Sequence, residues 1–327
     1  MYKIVIFGGG SGASHLLKGL KLFPVELTSV ITVCDNGKST GKLRKEFSTP
    51  AVGDISKVLL EMSNVSNDIR ELMNYRFTAS QTLENHSIKN LLLTALLDLK
   101  GDFKHALPVL EELLNTKGRI LPLTEDNVEL IGETLNGKLI VGEAQITAAK
   151  EKMLNISYNK PFSINKGVYK TIKDADLIII SYGSLYTSIL PHLVVKELAE
   201  KIDNSNARKM YICNLMSQPG ETDDYSVSDH VKVIQKYIKL DAVIANDSPI
   251  DSEIVKMYSS KEQKDPIPFD LDKIKKLDIE IISDKTFIIE DGLLRHDPLI
   301  MGYLVFSYLM KNKNNLKGTT KVNSKIH

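Results

Sequence analysis

Residues 2–13, YKIVIFGGGSGA, constrain the fold more than any other stretch. A β-branched apolar run breaks at three glycines, and Leu16, Leu17 and Leu20 then recur at helical spacing. The run reads as a buried strand and the sequel as an amphipathic helix. Glycines between them let the backbone approach a ligand closely. The helix start offers free N–H groups and a partial positive charge, so residues 8–12 form a candidate phosphate cradle. Gly8, Gly10 and Ala13 also satisfy the G-x-G-x-x-G/A dinucleotide spacing. Asp35 follows ~20 residues on, at the end of the second apolar run, where a ribose-binding acid sits in such folds. The motif alone does not separate an NAD-dependent oxidoreductase from other nucleotide binders, or from a tight strand–helix turn with no ligand.

The alternation continues along the chain. Apolar runs at 27–33, 176–180, 209–213 and 241–245 end in polar or Gly-containing turns, and helical periodicity fills 191–202 and 227–238. The expected fold class is α/β, a Rossmann-like mostly parallel sheet with helices on both faces. Residues 88–99 and 103–114 read as two helices. The runs 128–135 and 138–147 flank Asn136-Gly137, the strongest short-range hairpin signal. A helical and β-hairpin insertion over about 85–150 is therefore expected inside one composite domain, 1–310. Residues 311–327 form a basic tail with no acidic residue, expected to be solvated.

Bulk properties exclude several classes. Net charge is +1, from 42 Lys+Arg against 41 Asp+Glu, so no global field draws the chain to nucleic acid or membrane. No run approaches the ~18 apolar residues of a membrane span, and the N-terminus lacks signal-peptide features; the expectation is a cytoplasmic protein. Cys34 and Cys213 each end an apolar run, without zinc spacing, and read as buried free thiols.

Several further residues carry candidate chemistry. In Asp35-Asn36-Gly37-Lys38-Ser39-Thr40, the Gly-Lys-Ser part matches a Walker A ending, but Thr32 stands where that motif needs Gly. What remains is a polar loop, through Arg44, at the carboxyl end of the second strand. Asp54 either caps a helix or joins Asp35 in holding a divalent cation that bridges ligand phosphates. Ser184, Tyr186, Thr187 and Ser188 follow a strand and read as a second anion site or a capped helix start. Asn214 opens the segment NLMSQPGET, whose Glu221 and Thr222 cap the next helix or reach the cleft. His86, His230 and His296 are isolated, with no Ser/His/Asp or Cys/His spacing. Arg295 suits bidentate pairing with a diphosphate, and Asp297 suits the cap of a helix starting near Pro298.

Taken in order, GGGSGASHLLKGLK, ITVCDNGKSTGKLR, GDI, NHSIKNLLLTAL, ADLIIISYGSLYTSILPHLVV and YICNLMSQPGETDDYSVSDH resemble the CofD/YvcK-like family. That family contains phospholactate transferases and the gluconeogenesis factors. The resemblance runs from about Lys3 to His230 and more weakly to Arg295. NLMSQPGET together with GSLYTS points to the gluconeogenesis-factor branch. The resemblance implies a UDP-sugar-binding regulator, with a ligand such as UDP-N-acetylglucosamine, linked to cell shape and wall synthesis under gluconeogenic growth. The transferase branch implies a nucleotide-activated phospholactate donor and a divalent cation; an enzyme of that type is the alternative, and the NAD-dependent oxidoreductase a second one. On the leading reading Gly9, Gly10, Ser11 and Gly12 cradle phosphate, Asp35 holds ribose or a cation, and Asn36 beside it contacts the ligand. Ser39, Thr40, Asn90, Ser184, Tyr186, Thr187 and Ser188 line the cleft. Asn214 orients a polar group of the ligand, Tyr258 stacks on the base and Arg295 pairs with phosphate. Mg2+ at Asp35 and Asp54 is left open as a cofactor, as is a homo-oligomer.

The chain departs from the family pattern at Asn36, where an acid is usual, at Lys38 and Lys89, where glycine is usual, and at Ser56-Lys57 and Ser181-Tyr182. A neutral amide at Asn36 weakens a two-carboxylate metal site. These departures bear on transferase chemistry more than on ligand binding.

Overall fold

The computed structural model describes residues 1–312. Twelve strands occur among them: β1 (Tyr2–Phe7), β2 (Val25–Ile31), β3 (Arg119–Pro122), β4 (Leu130–Thr134), β5 (Leu139–Val141), β6 (Met153–Tyr158), β7 (Leu177–Ile180), β8 (Arg208–Ile212), β9 (Ala242–Asn246), β10 (Glu280–Asp284), β11 (Phe287–Glu290) and β12 (Leu293–His296). Seven of them form one sheet, in the order β10-β9-β8-β7-β1-β2-β3, and every pairing in it is parallel. Successive side chains of a strand face opposite ways. Ile4 and Ile6 of β1 therefore enter one core, with helices Gly10–Leu20, Gly53–Met62, Ile88–Lys100 and Pro298–Lys311. Val5 and Phe7 enter the other, with helices Lys166–Asp174, Lys196–Asp203 and Val227–Gln235. Burial on both faces explains why the strands read as continuous apolar runs.

β1 pairs with β2 on one side, Ile4 opposite Leu27, and with β7 on the other, Ile4 opposite Leu177. The first crossover thus leaves β1 in one direction, and the later strands wind away in the other. The crevice above the carboxyl ends of β1 and β7 is a topological switch point, the place where open α/β sheets bind ligands.

Several elements differ from the sequence expectation. The region 85–150 is not one continuous insertion, because β3 leaves it to pair with β2 in the main sheet. Its edge is guarded: the Ile120 N–H donates to Glu111 Oε1 at 3.0 Å, and Pro122 has no N–H to offer. The expected hairpin arm over 138–147 stops at Val141. Gly142 has φ 100°, and the chain turns there into the helix Glu143–Ala149. β4 pairs with β5 and β6 in a separate antiparallel sheet. The helix expected over 191–202 is instead a π-helical turn, Leu185–Ile189, running into Leu190–Leu193, followed by a break and Lys196–Asp203. Pro191 donates no hydrogen bond to the preceding turn, and Val195 is extended at the break. The basic tail lies, beyond Asn312, outside the described residues.

Helix Gly10–Leu20, which carries the glycine turn, is held from behind by helix Pro298–Lys311. Asp297 caps the latter as expected, accepting from the Leu299 and Ile300 N–H groups at 2.8 and 3.1 Å. The two helices approach so closely that a Cβ on Gly19 would lie 1.7 Å from the Pro298 carbonyl oxygen. Gly19→Ala gains up to about 1 kcal/mol of helix propensity, but overpacking of this kind costs about 1–3 kcal/mol. We expect net destabilisation, read as a lower urea midpoint with an unchanged slope; an equal or higher midpoint would show that the helices can separate freely.

Candidate functional site

The glycine turn owes its composition to close packing. Gly9 precedes the helix with extended backbone, and no side chain caps the first N–H groups. A Cβ on Gly8 would meet Ser181 Cβ at 2.9 Å, and one on Gly9 would meet Ser188 Oγ at 2.5 Å. On Gly10 it would meet Asp54 Oδ1 at 2.1 Å, and on Gly12 the Tyr182 carbonyl at 1.8 Å. The loop after β1 therefore lies flush against the loop after β7 and the start of helix Gly53–Met62. The side chain of Ser11 lies outside the described atoms.

The loop after β7 is pinned from β8. Asn214 Oδ1 accepts the Gly183 N–H at 2.8 Å while its Nδ2 donates to the Gly183 carbonyl at 2.7 Å. Both ends of the Asn214 amide are spent on backbone, so this residue shapes the loop. Ser184 Oγ lies 2.7 and 2.8 Å from the two oxygens of Glu221, and it accepts the Thr187 N–H at 3.0 Å. The Tyr186 N–H reaches the same carboxylate at 3.4 Å. Glu221 thus occupies a nest of donors built by the Ser184 hydroxyl and the Leu185 and Tyr186 N–H groups. Burial raises its carboxyl to about 7 even though these donors pull the other way.

The third wall is the turn after β2. The expected polar loop through Arg44 is shorter, because helix Lys38–Phe47 begins directly after Gly37. Asp35 Oδ1 accepts the Gly37 N–H at 2.8 Å. Arg44 is buried and donates to the carbonyls of Cys34 and Asp35, both at 3.2 Å, and to Val128 O at 2.9 Å. A Cβ on Gly53 would sit 2.3 Å from Thr40 Oγ1 and 3.0 Å from Asp35 Oδ2. Asp35, Thr40, Gly53, Asp54 and Gly10 consequently adjoin one another. Asp54 is not the helix cap, since Val52 takes that position. Burial and the Asp35 charge raise the Asp54 carboxyl, partly offset by the Gly10 N–H it accepts.

Glu143 completes the ring and was not foreseen. Burial, followed by Asp54, Asp35 and Glu221, holds its carboxyl well above the usual range. It arrives from the far insertion on a short helix, with only Gly142 as a local signal. Asn36 holds that helix in place: its Oδ1 accepts the Ala144 N–H at 3.0 Å and its Nδ2 donates to Gln145 Oε1 at 2.8 Å. Ser39 Oγ is 2.8 Å from His86 Nδ1, both residues being buried. Asn90 is interior and accepts from Ser56 Oγ at 2.6 Å.

Three expected residues stand apart from the crevice. Tyr186 is buried in the second core. Tyr258 is not free to stack on a base; it is 5% exposed, packs with Leu215, Phe287 and Leu294, and accepts the Leu294 N–H at 2.9 Å. Arg295 lies exposed on β12, in register with Ile288 of β11.

The raised carboxyl groups set a pH dependence. Between the ordinary value of 4.5 and about 7, Glu221 keeps its proton in the folded chain and loses it in the unfolded one. Stability therefore falls as pH rises through that window and is level above it. We expect Glu221→Gln to flatten this fall, read as urea midpoints at about pH 5 and about pH 8; an unchanged difference would assign the fall to other groups. Asp54→Asn relieves the same crowding and should raise the midpoint at neutral pH.

The family model for the 2-phospho-L-lactate transferase CofD matches residues 4–287. A gluconeogenesis factor of Bacillus subtilis is 38% identical over 300 residues, covering 90% of this chain and 94% of its own. One of Halalkalibacterium halodurans is 40% identical over 301 residues, covering 90% and 92%. A crystal structure of a Bacillus halodurans protein superposes with a TM-score of 0.89 at 37% identity, covering 93% of this chain and 99% of the other. The order of motifs along the chain, the parallel sheet and these matches agree: the chain belongs to the CofD family, alongside the gluconeogenesis factors.

Proposed function

We propose that the crevice between β1 and β7 binds a nucleotide-sugar of the UDP type, such as UDP-N-acetylglucosamine. The protein then acts as a cytoplasmic regulator linked to cell shape and wall synthesis under gluconeogenic growth. One observation carries this reading. Two glycine-bearing loops meet at the switch point, one ending in a helix N-terminus with no capping side chain. A helix start of this kind, at a switch point, suits a phosphate. Asp35, with one carboxylate oxygen beyond its Gly37 contact, suits the hydroxyls of a ribose or sugar. The name gluconeogenesis factor carried by the relatives supports the regulatory role.

Proton transfer by a histidine at the two loops has little support. His192 and His296, which back the two loops, are fully buried, and burial lowers them to about 4 and about 3.

The paired carboxylates favour a second reading, a metal-dependent transferase of the phospholactate type. The oxygen donors of Asp35 and Asp54 fit a hard cation, and a cation would relieve the repulsion that raises Asp54. Among the described residues no group of three or more His, Cys, Asp or Glu is assembled to hold a metal. Mg2+ would therefore rest on these two carboxylates and take its remaining ligands from phosphate and water. Bound there, it would neutralise phosphate charge; Asp35 and Asp54 would position it.

Thermal denaturation with UDP-N-acetylglucosamine, GDP or NAD, each with and without Mg2+, separates the readings. A ligand at ~100 times its Kd stabilises the fold by about 2.7 kcal/mol. We expect a Tm rise with the UDP-sugar alone, independent of Mg2+. Asp35→Asn should weaken it roughly 10–100-fold, the loss of a charged hydrogen bond worth about 1.5–3 kcal/mol. A rise only with GDP and Mg2+ would favour the transferase, and a rise only with NAD would overturn both.

A further inference from the structure

A second cleft, of about 640 Å3, lies toward the amino ends of β1, β2 and β3, away from the glycine turn. Its volume is that of a small-molecule site. Two helices wall it with the same spacing, Phe103–Leu113 through Phe103, Leu107 and Glu111, and Lys166–Asp174 through Lys166, Lys170 and Asp174. A row of neighbouring strand residues lines it as well, Val5 beside Thr28 and Thr28 beside Arg119.

The chemistry of this lining is uneven. Pro108 and Leu121 offer apolar surface, with Phe103, Leu107 and Val5 buried behind them. Around it stand Lys104, Arg119, Lys166 and Lys170, none of which appears in an ion pair among the described residues. Two of the four acids at the cleft are already engaged with backbone. Glu111 accepts the Ile120 N–H and Glu125 the Phe103 N–H, each at 3.0 Å. Glu26 and Asp174 are the other two. The first turn of helix Lys166–Asp174 borders the cleft and adds partial positive charge. An added peptide strand is disfavoured, because Glu111 takes one edge donor of β3 and Pro122 lacks another.

We propose that this cleft is a second binding site, for a small organic anion with an apolar body, its carboxylate or phosphate held by Lys166, Lys170 and Arg119. The site is independent of the nucleotide crevice: its residues come from the strand starts, whereas Gly9, Asp35 and Ser184 lie beyond the strand ends. β1 and β2 run between the two.

The probe is anilinonaphthalene sulfonate, an aromatic anion that fluoresces when its rings leave water, titrated into the full-length folded protein. Saturable binding at one site per chain is expected. The exposed pair Lys166→Glu with Lys170→Glu should weaken it at least about tenfold while the cooperative urea transition is kept, and Asp54→Asn should leave it unchanged. Phenyl phosphate and benzoate, added separately as competitors, distinguish a phosphate preference from a carboxylate preference; displacement by either supports the site. Three results would overturn it: no saturable binding, equal binding by the charge-reversed variant, or displacement by neither competitor.

Discussion

The packing of the loop after β1 against the loop after β7 is the contact on which the rest of the site depends. Gly8, Gly9 and Gly12 have no room for a Cβ because Ser181, Ser188 and the Tyr182 carbonyl occupy that space. Any side chain would push the loops apart and widen the crevice at the switch point. Asn214, gripping Gly183 through both ends of its amide, fixes one loop from β8. The helix contact at Gly19 fixes the other from behind. The glycine run thus serves the architecture first, and the uncapped helix start that follows from it is what makes an anion welcome.

Asp54, Glu143 and Glu221 border this backbone frame beside Asp35, and these three work against the fold. Asp54, Glu143 and Glu221 are all raised, by burial first and by neighbouring acids as well. Groups tuned away from their ordinary values cluster where function requires them. Glu221 also fills a donor nest made by the Ser184 hydroxyl and the Leu185 and Tyr186 N–H groups, so the structure keeps that nest satisfied with its own anion. Arg44 partly balances Glu143; its guanidinium also donates to the carbonyls that define the Asp35 turn.

Much of this was legible in the residues, and the gaps have physical reasons. Strands buried on both faces announce themselves as continuous apolar runs, so β1, β7, β8 and β9 were found within a residue or two. β3 was missed because four residues, Arg-Ile-Leu-Pro, carry too little pattern. The loops singled out at the strand ends by their Gly, Ser and Asn residues do lie against one another. The roles of single side chains were less visible. Asn36 and Asn214 spend their amides on backbone, Tyr258 belongs to a small core under β12, and Glu143 reaches the crevice through a contact over a hundred residues away in sequence. Such convergence is a property of tertiary packing, with no periodicity to betray it.

Amide chemical-shift mapping of the labelled protein with UDP-N-acetylglucosamine tests the central claim most directly, because it reports where a ligand sits rather than whether one binds. The account predicts the largest shifts at Gly9, Gly10, Gly37 and Gly183, the backbone of the three loops at the switch point. Shifts confined to Val5, Thr28 and Leu121 in the edge cleft, or an unperturbed spectrum at saturating ligand, would contradict it.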